Sequence, residues 1–123
     1  MHEMGIANSV LAAVRTAMRR VPGSYPSKVG LRIGQMAAID QEALRFCFEA
    51  ITRDTDLEKL NLEIEFRPLQ YRCRSCGREF AVQDYEIQCP NCQSLETEYL
   101  SGDELELAYL EVEEEHGTNP VGA

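Results

Sequence analysis

Four of the five cysteines stand in two matched pairs, Cys73-x2-Cys76 and Cys89-x2-Cys92, with twelve residues between the pairs. Two cysteines separated by two residues can aim both sulfurs at one point, and two such pairs complete a tetrahedron around Zn2+ at Zn–S distances near ~2.3 Å. Four thiolates leave no open coordination position, so such a site shapes the chain and does no catalysis. Gly77 follows the first pair, where a positive φ costs little, and Pro90 stiffens the second. Two positive charges against four thiolates leave −2, and Arg72, Arg74 and Arg78 stand close enough in sequence to offset it. Bound zinc takes the formal charge of the chain from −9 to −11. A rubredoxin-type iron centre or a redox dithiol could use the same residues, but paired knuckles at this spacing are the common zinc pattern.

The other chemistry sits at the start. Met1-His2-Glu3 is a ready chelate: the α-amine, the His2 amide nitrogen and its imidazole close two fused rings around one metal. Glu3 can add a fourth donor through its amide or its carboxylate. A nitrogen-rich tetragonal set of this kind suits Ni2+ or Cu2+, whereas Zn2+ prefers a tetrahedron. The site needs an unblocked terminus. His116, the second histidine, stands in an acidic tail and reads as a solvated side chain.

These residues need elements to hold them. Ile6, Val10, Val14 and Met18 recur at helical spacing, which predicts an amphipathic helix over 4–20. Arg19 and Arg20 suit its carboxyl end, and Val21-Pro22-Gly23 stops it. The segment 22–26 reads as a turn-rich connector. Val29, Leu31 and Ile33 then alternate with polar residues or glycine, as in a half-buried strand.

Asp40 is placed to cap a second helix, 41–52, whose apolar face is Leu44, Cys47, Phe48 and Ile51. On that face Cys47, the fifth cysteine, reads as a small buried hydrophobe. Thr55 to Glu58 has the spacing of a capping box. A second strand follows with Leu62, Ile64 and Phe66 on one side, and Pro68 ends it. A third runs from Glu104 to Val112, where the apolar parity slips from Leu105 and Leu107 to Ala108, Leu110 and Val112. A bulge, or burial on both faces, would account for that slip.

A strand–helix–strand unit makes a right-handed parallel crossover. The expected fold is therefore α+β: a small mixed three-stranded sheet covered by two helices, with an inserted zinc-ribbon-like module built on the four paired cysteines. On this division 1–68 with 94–112 form the α/β domain that carries the Met1-His2-Glu3 chelate, for which the resemblance described below implies nickel, and 69–93 form the zinc-binding domain. Residues 113–123 form an acidic tail expected to be disordered.

Composition narrows the function classes. Twelve basic against 21 acidic residues disfavour a dedicated nucleic-acid binder and a polybasic membrane-surface protein. The uncharged stretch from Met4 to Val14 is shorter than the roughly 20 apolar residues of a membrane-spanning helix. Glu3 sits where a secretory signal carries basic residues. The chain reads as cytoplasmic, where grouped cysteines mean metal or redox chemistry. No nucleophile–base pair of an enzyme is visible with only two histidines. A competing reading is a zinc-ribbon interaction module for nucleic acid or a transcription component. Its sequence basis is that residues 67–92 carry four arginines against Glu79, Asp84 and Glu86.

The pieces coincide in one family. Met1-His2-Glu3, the strand ending at Ile33-Gly34, and Leu44-Arg45-Phe46 with Phe48 carry the likeness, as do Leu62-Glu63-Ile64 and Cys89-Pro90-Asn91-Cys92 with the other cysteine pair. With the strand entry Gly102-Asp103-Glu104-Leu105, the chain from Met1 to about Val112 resembles the HypA/HybF family of hydrogenase nickel-incorporation proteins. The resemblance implies a nickel metallochaperone for maturation of [NiFe]-hydrogenase, and in some organisms urease. It implies nickel at His2 with the Met1 amine and Glu3, and structural zinc at Cys73, Cys76, Cys89 and Cys92. It implies a GTP-hydrolysing maturation partner, docking on the hydrogenase large subunit, and a monomer or homodimer. The chain departs from the family in Met4, in Asp54-Thr55-Asp56 and in its extended acidic tail, none of which touches the implied ligands.

Overall fold

The computed structural model describes residues 2–84 and 86–114, and within it the chain divides into two compact units. Of the described residues, the first comprises 2–31, 39–64 and 107–114; the second comprises 32–38, 65–84 and 86–106.

The first unit opens with helix α1, Glu3–Met18, whose buried side chains Ile6, Ala7, Val10 and Val14 are the predicted stripe. Helix α2, Gln41–Thr52, starts where expected: Asp40 Oδ1 accepts from the Glu42 and Ala43 N–H groups at 3.0 and 3.2 Å. These bonds satisfy donors that a helix start leaves without partners. The two helices pack against each other. Leu44 and Phe48 are buried on α2, and the buried Thr52 hydroxyl donates to the Phe48 carbonyl at 2.8 Å. Beyond α2, Thr55 bonds back to the Thr52 carbonyl and accepts from Leu57 N–H, making a turn and not a further helix.

Strand β1, Ser24–Gly34, is longer than its alternating stretch, because the presumed connector at Tyr25-Pro26 already pairs as strand. Strand β2 is Asn61–Arg67 and the last strand, β6, is Leu105–Glu114; they flank β1 in the order β2-β1-β6. Partners of β1 rise together along β2, Lys28 with Glu63 and Arg32 with Glu65, as in a parallel pair. Along β6 they fall, Gly34 with Glu104, Arg32 with Glu106 and Ser27 with Glu111, as in an antiparallel pair. The sheet is mixed, as the crossover rule required.

Glu106 and Tyr109, an odd number of residues apart, both meet the face of β1 that carries Gly30 and Arg32. A regular strand cannot do this, so the slip in apolar parity marks a one-residue offset. Strand β6 carries Glu113 and Glu114 within it, and the rest of the expected tail, 115–123, lies outside the described residues.

The second unit holds a second three-stranded sheet that periodicity did not reveal. Its strands are β3 (Gln70–Cys73), β4 (Glu79–Ala81) and β5 (Thr97–Ser101), in the order β4-β3-β5, with both pairs antiparallel. Strands this short carry too few residues to show alternation. Leu69, Cys73, Phe80, Val82 and Cys89 form the buried cluster, with Tyr71 and Ile87 packed on it. The Gln35 side chain stitches the unit together, accepting from Leu69 N–H and donating to the Val82 carbonyl, each at 3.0 Å.

Candidate metal centre

The two cysteine pairs fold into one local shape, made twice. In each, the first cysteine's carbonyl accepts from the N–H four residues on: Gly77 to Cys73 and Gln93 to Cys89, both at 2.9 Å. In each, the first cysteine's N–H donates to the carbonyl five residues on, Arg78 at 2.8 Å and Ser94 at 3.1 Å. The chain must turn back at the fourth position, and there φ is +80° at Gly77 and +61° at Gln93. Glycine announces that conformation at the first knuckle. At the second a glutamine adopts it against its own preference, so the residue type there carried no signal.

The duplication extends to exposure. Cys73 and Cys89 are buried, whereas Cys76 and Cys92 are exposed. All four sulfurs lie within 4.8 Å of one another and form a cluster that could hold a metal ion. Cys73 Sγ is 3.5 Å from Cys92 Sγ, and Cys76 Sγ is 3.6 Å from Cys89 Sγ. A tetrahedron with Zn–S bonds near ~2.3 Å has sulfur–sulfur edges of about 3.8 Å, so the cage is already close to the size of its ion.

The donors around the sulfurs are mostly backbone. Ser75 and Cys76 N–H groups point at Cys73 Sγ at 3.3 and 3.4 Å, and Asn91 Nδ2 reaches Cys76 Sγ at 3.7 Å. The Cys76 N–H, and then that of Ser75, draw the Cys73 thiol down to about 6, making it the readiest thiolate. At Cys92 the Ser94 N–H favours the thiolate. The facing Cys73 sulfur, burial and the Cys89 and Cys76 sulfurs outweigh it and push this thiol up to about 12. Four thiols so close cannot all ionise without a cation among them. A divalent ion resolves the conflict, which makes the donor set fit zinc in both size and charge.

Of the three arginines expected to offset the charge of the site, Arg72 is engaged elsewhere. Arg72 turns to carboxylates, meeting Glu79 at 2.8 Å and Glu98 at 3.4 Å. Its charge is thereby spent within the β4-β3-β5 sheet. Cys47, outside the cluster, is a half-buried free thiol on α2.

At the other candidate site, His2 occupies the N-cap position of α1, and its carbonyl accepts from Ile6 N–H at 3.1 Å. Its exposed side chain makes no capping hydrogen bond. Glu3 is the first residue of the helix, and its Oε2 accepts from Asp40 N–H at 3.0 Å. That bond holds the Glu3 carboxyl below its ordinary value of 4.5. The sequence marks Asp40 only as a cap; its backbone also anchors the start of the chain through Glu3. Met1 and His116 lie outside the described residues. No helix among the described residues is long and apolar enough to cross a membrane.

Comparison with known proteins gives a consistent answer. Residues 1–112 match the family model described as hydrogenase/urease nickel incorporation, metallochaperone, hypA. The chain is 42% identical over 113 residues to the hydrogenase maturation factor HypA of Geobacter metallireducens, covering 92% of this chain and all of that one. It is 39% identical over 114 residues to that of Crocosphaera subtropica, covering 93% and 97%. The solution structure of the nickel metallochaperone HypA from Helicobacter pylori shares the fold with a TM-score of 0.61 at 22% identity, covering 94% of this chain and 100% of that one.

Proposed function

Because the chain belongs to the HypA family of nickel-incorporation metallochaperones for hydrogenase maturation, which are not catalytic enzymes, we propose that it carries Ni2+ at its first residues and Zn2+ in its cysteine cage. Cys73, Cys76, Cys89 and Cys92 hold the zinc, which supplies cohesion to a unit whose own buried cluster is small. Nickel is the cargo. The Met1 amine, the His2 amide and imidazole, and Glu3 bind it.

The observation that carries the nickel reading is the state of His2. It is exposed, outside the helix hydrogen-bond ladder on its side-chain side, and free of any capping bond. The imidazole can therefore turn to an ion without breaking native structure. Glu3 differs, since its carboxylate is engaged by Asp40 N–H. Its own amide N–H also donates to that carboxylate, so either group gives up a native bond to serve as the fourth donor. Nitrogen donors on a chain end can exchange one ligand at a time, which release requires, whereas four thiolates in a formed cage cannot.

On this reading the protein works in the cytoplasm with a GTP-hydrolysing maturation partner. It docks on the hydrogenase large subunit, with urease a second destination. Elemental analysis of untagged protein, before and after nickel loading, tests the division of metals. The expected result is about one retained zinc and one removable nickel per chain. His2→Ala should abolish nickel uptake and leave zinc unchanged; undiminished nickel in that variant overturns the assignment.

A further inference from the structure

Strand β6 is at the end of the β2-β1-β6 sheet, so among the described residues one of its backbone edges has no strand beside it. An open edge presents a row of unpaired N–H and C=O groups, and proteins ordinarily blunt it with charged side chains (Lys above all), Pro, short length or a covering element. Residues 107–114, the part of β6 in the first unit, are Leu-Ala-Tyr-Leu-Glu-Val-Glu-Glu: they are not short, hold no Lys or Pro, and their only charges are carboxylates, which repel an acidic strand and attract a basic one. Leu107 and Val112 remain 38% and 39% exposed. Glu111, Glu113 and Glu114 are exposed and, among the described residues, in no ion pair, although Glu113 accepts from the Ser27 hydroxyl at 3.3 Å.

Alternation then specifies an occupant. One face of this stretch carries Leu107, Tyr109, Glu111 and Glu113; the other carries Ala108, Leu110 and Val112 before Glu114. A second copy of the chain would bring the same carboxylates to a protein already at −9. We propose that the free edge of β6 over residues 107–114 docks an extended segment of a partner protein in which Lys or Arg alternates with apolar residues, added as a further strand. Main-chain hydrogen bonds supply the affinity, and the alternate side chains supply the selectivity. The bases of the incoming strand meet Glu111 and Glu113, while its apolar residues extend the surface of Leu110 and Val112. This surface shares no residue with the proposed nickel and zinc ligands.

The probe is a blocked peptide, Lys-Val-Lys-Val-Lys-Val-Lys, titrated into the full zinc-loaded chain. Two controls have the same charge but carry N-methyl groups on alternate amides, one in each frame. The unmethylated peptide should protect the amides of 107–114 from hydrogen exchange. At least one methylated peptide should bind at least ten-fold more weakly, and Glu111→Lys should weaken the unmethylated peptide by a similar factor. Equal binding of all three peptides would show mere charge attraction and overturn the proposal. So would protection confined to other residues. A concentration-dependent dimer whose β6 amides are protected without peptide would also overturn it, since a second copy would then be the occupant.

Discussion

Gly30→Ala should destabilise the helix-bearing unit by about 1–3 kcal/mol, the usual cost of forcing an extra methyl into a filled space. A Cβ at Gly30 would sit 2.1, 2.4 and 2.6 Å from three ring atoms of Tyr109, where ordinary contact begins near 3.4 Å. The ring must therefore retreat by more than 1 Å, taking its hydroxyl away from the Glu63 carboxylate it now donates to. Both helices belong to this unit, so the far-ultraviolet helix signal during urea unfolding of zinc-loaded protein reports its stability. With a slope of about 1–3 kcal/mol per molar urea, the midpoint should fall by on the order of 1 M. The decisive measurement repeats the substitution in a Tyr109→Ala background. With the ring gone, alanine fits and should stabilise the strand by roughly 0.5–1 kcal/mol over glycine. The same substitution thus changes sign between the two backgrounds. A penalty of equal size in both would refute the reasoning, because the cost would then not come from the ring.

Three further outcomes follow from the contacts described. Cys92→Ser should take up less zinc than the unsubstituted chain when both are loaded, while leaving the far-ultraviolet signal of α1 and α2 in place, since their buried residues lie outside the cysteine-bearing unit; loss of helix on removing the cage would contradict this. Asp40→Ala should cost about 1 kcal/mol in urea unfolding by leaving the Glu42 and Ala43 N–H groups without their cap, and a change within error would show that water replaces it freely. The Glu3 carboxyl is held below 4.5, so the stability it contributes is present above that value and lost as pH falls through the lower folded value; the amide shift of Asp40 should inflect below pH 4.5, and an inflection at or above it would break the assigned bond.

Much of the helical half was legible because its signals are local and repeated. The stripe of α1 and the Asp40 cap of α2 each follow from spacing within one or two helical turns. The slip in β6 was visible as a change of parity, and the contacts of Glu106 and Tyr109 account for it. Strands β3, β4 and β5 were not legible. They are short, and their pairing joins Cys73 to Thr97 and Arg72 to Glu79, partners that no local pattern connects. The diversion of Arg72 to Glu79 and Glu98 is of the same kind, since sequence proximity to the cysteines said nothing about which charge it would meet.

The metal chemistry divides along the same line. The sequence by itself determined which side chains could hold a metal, because the two-residue cysteine spacings and the His2-Glu3 pair are facts of residue type and order. Only the tertiary structure decided how those side chains are disposed. It brings four sulfurs within 4.8 Å, buries one of each pair, and ties the Glu3 carboxylate to Asp40 while the His2 side chain stays out of the capping bonds. The reason is that donor identity is set by residue type, whereas distance, burial and competing hydrogen bonds are set by partners far away in the chain.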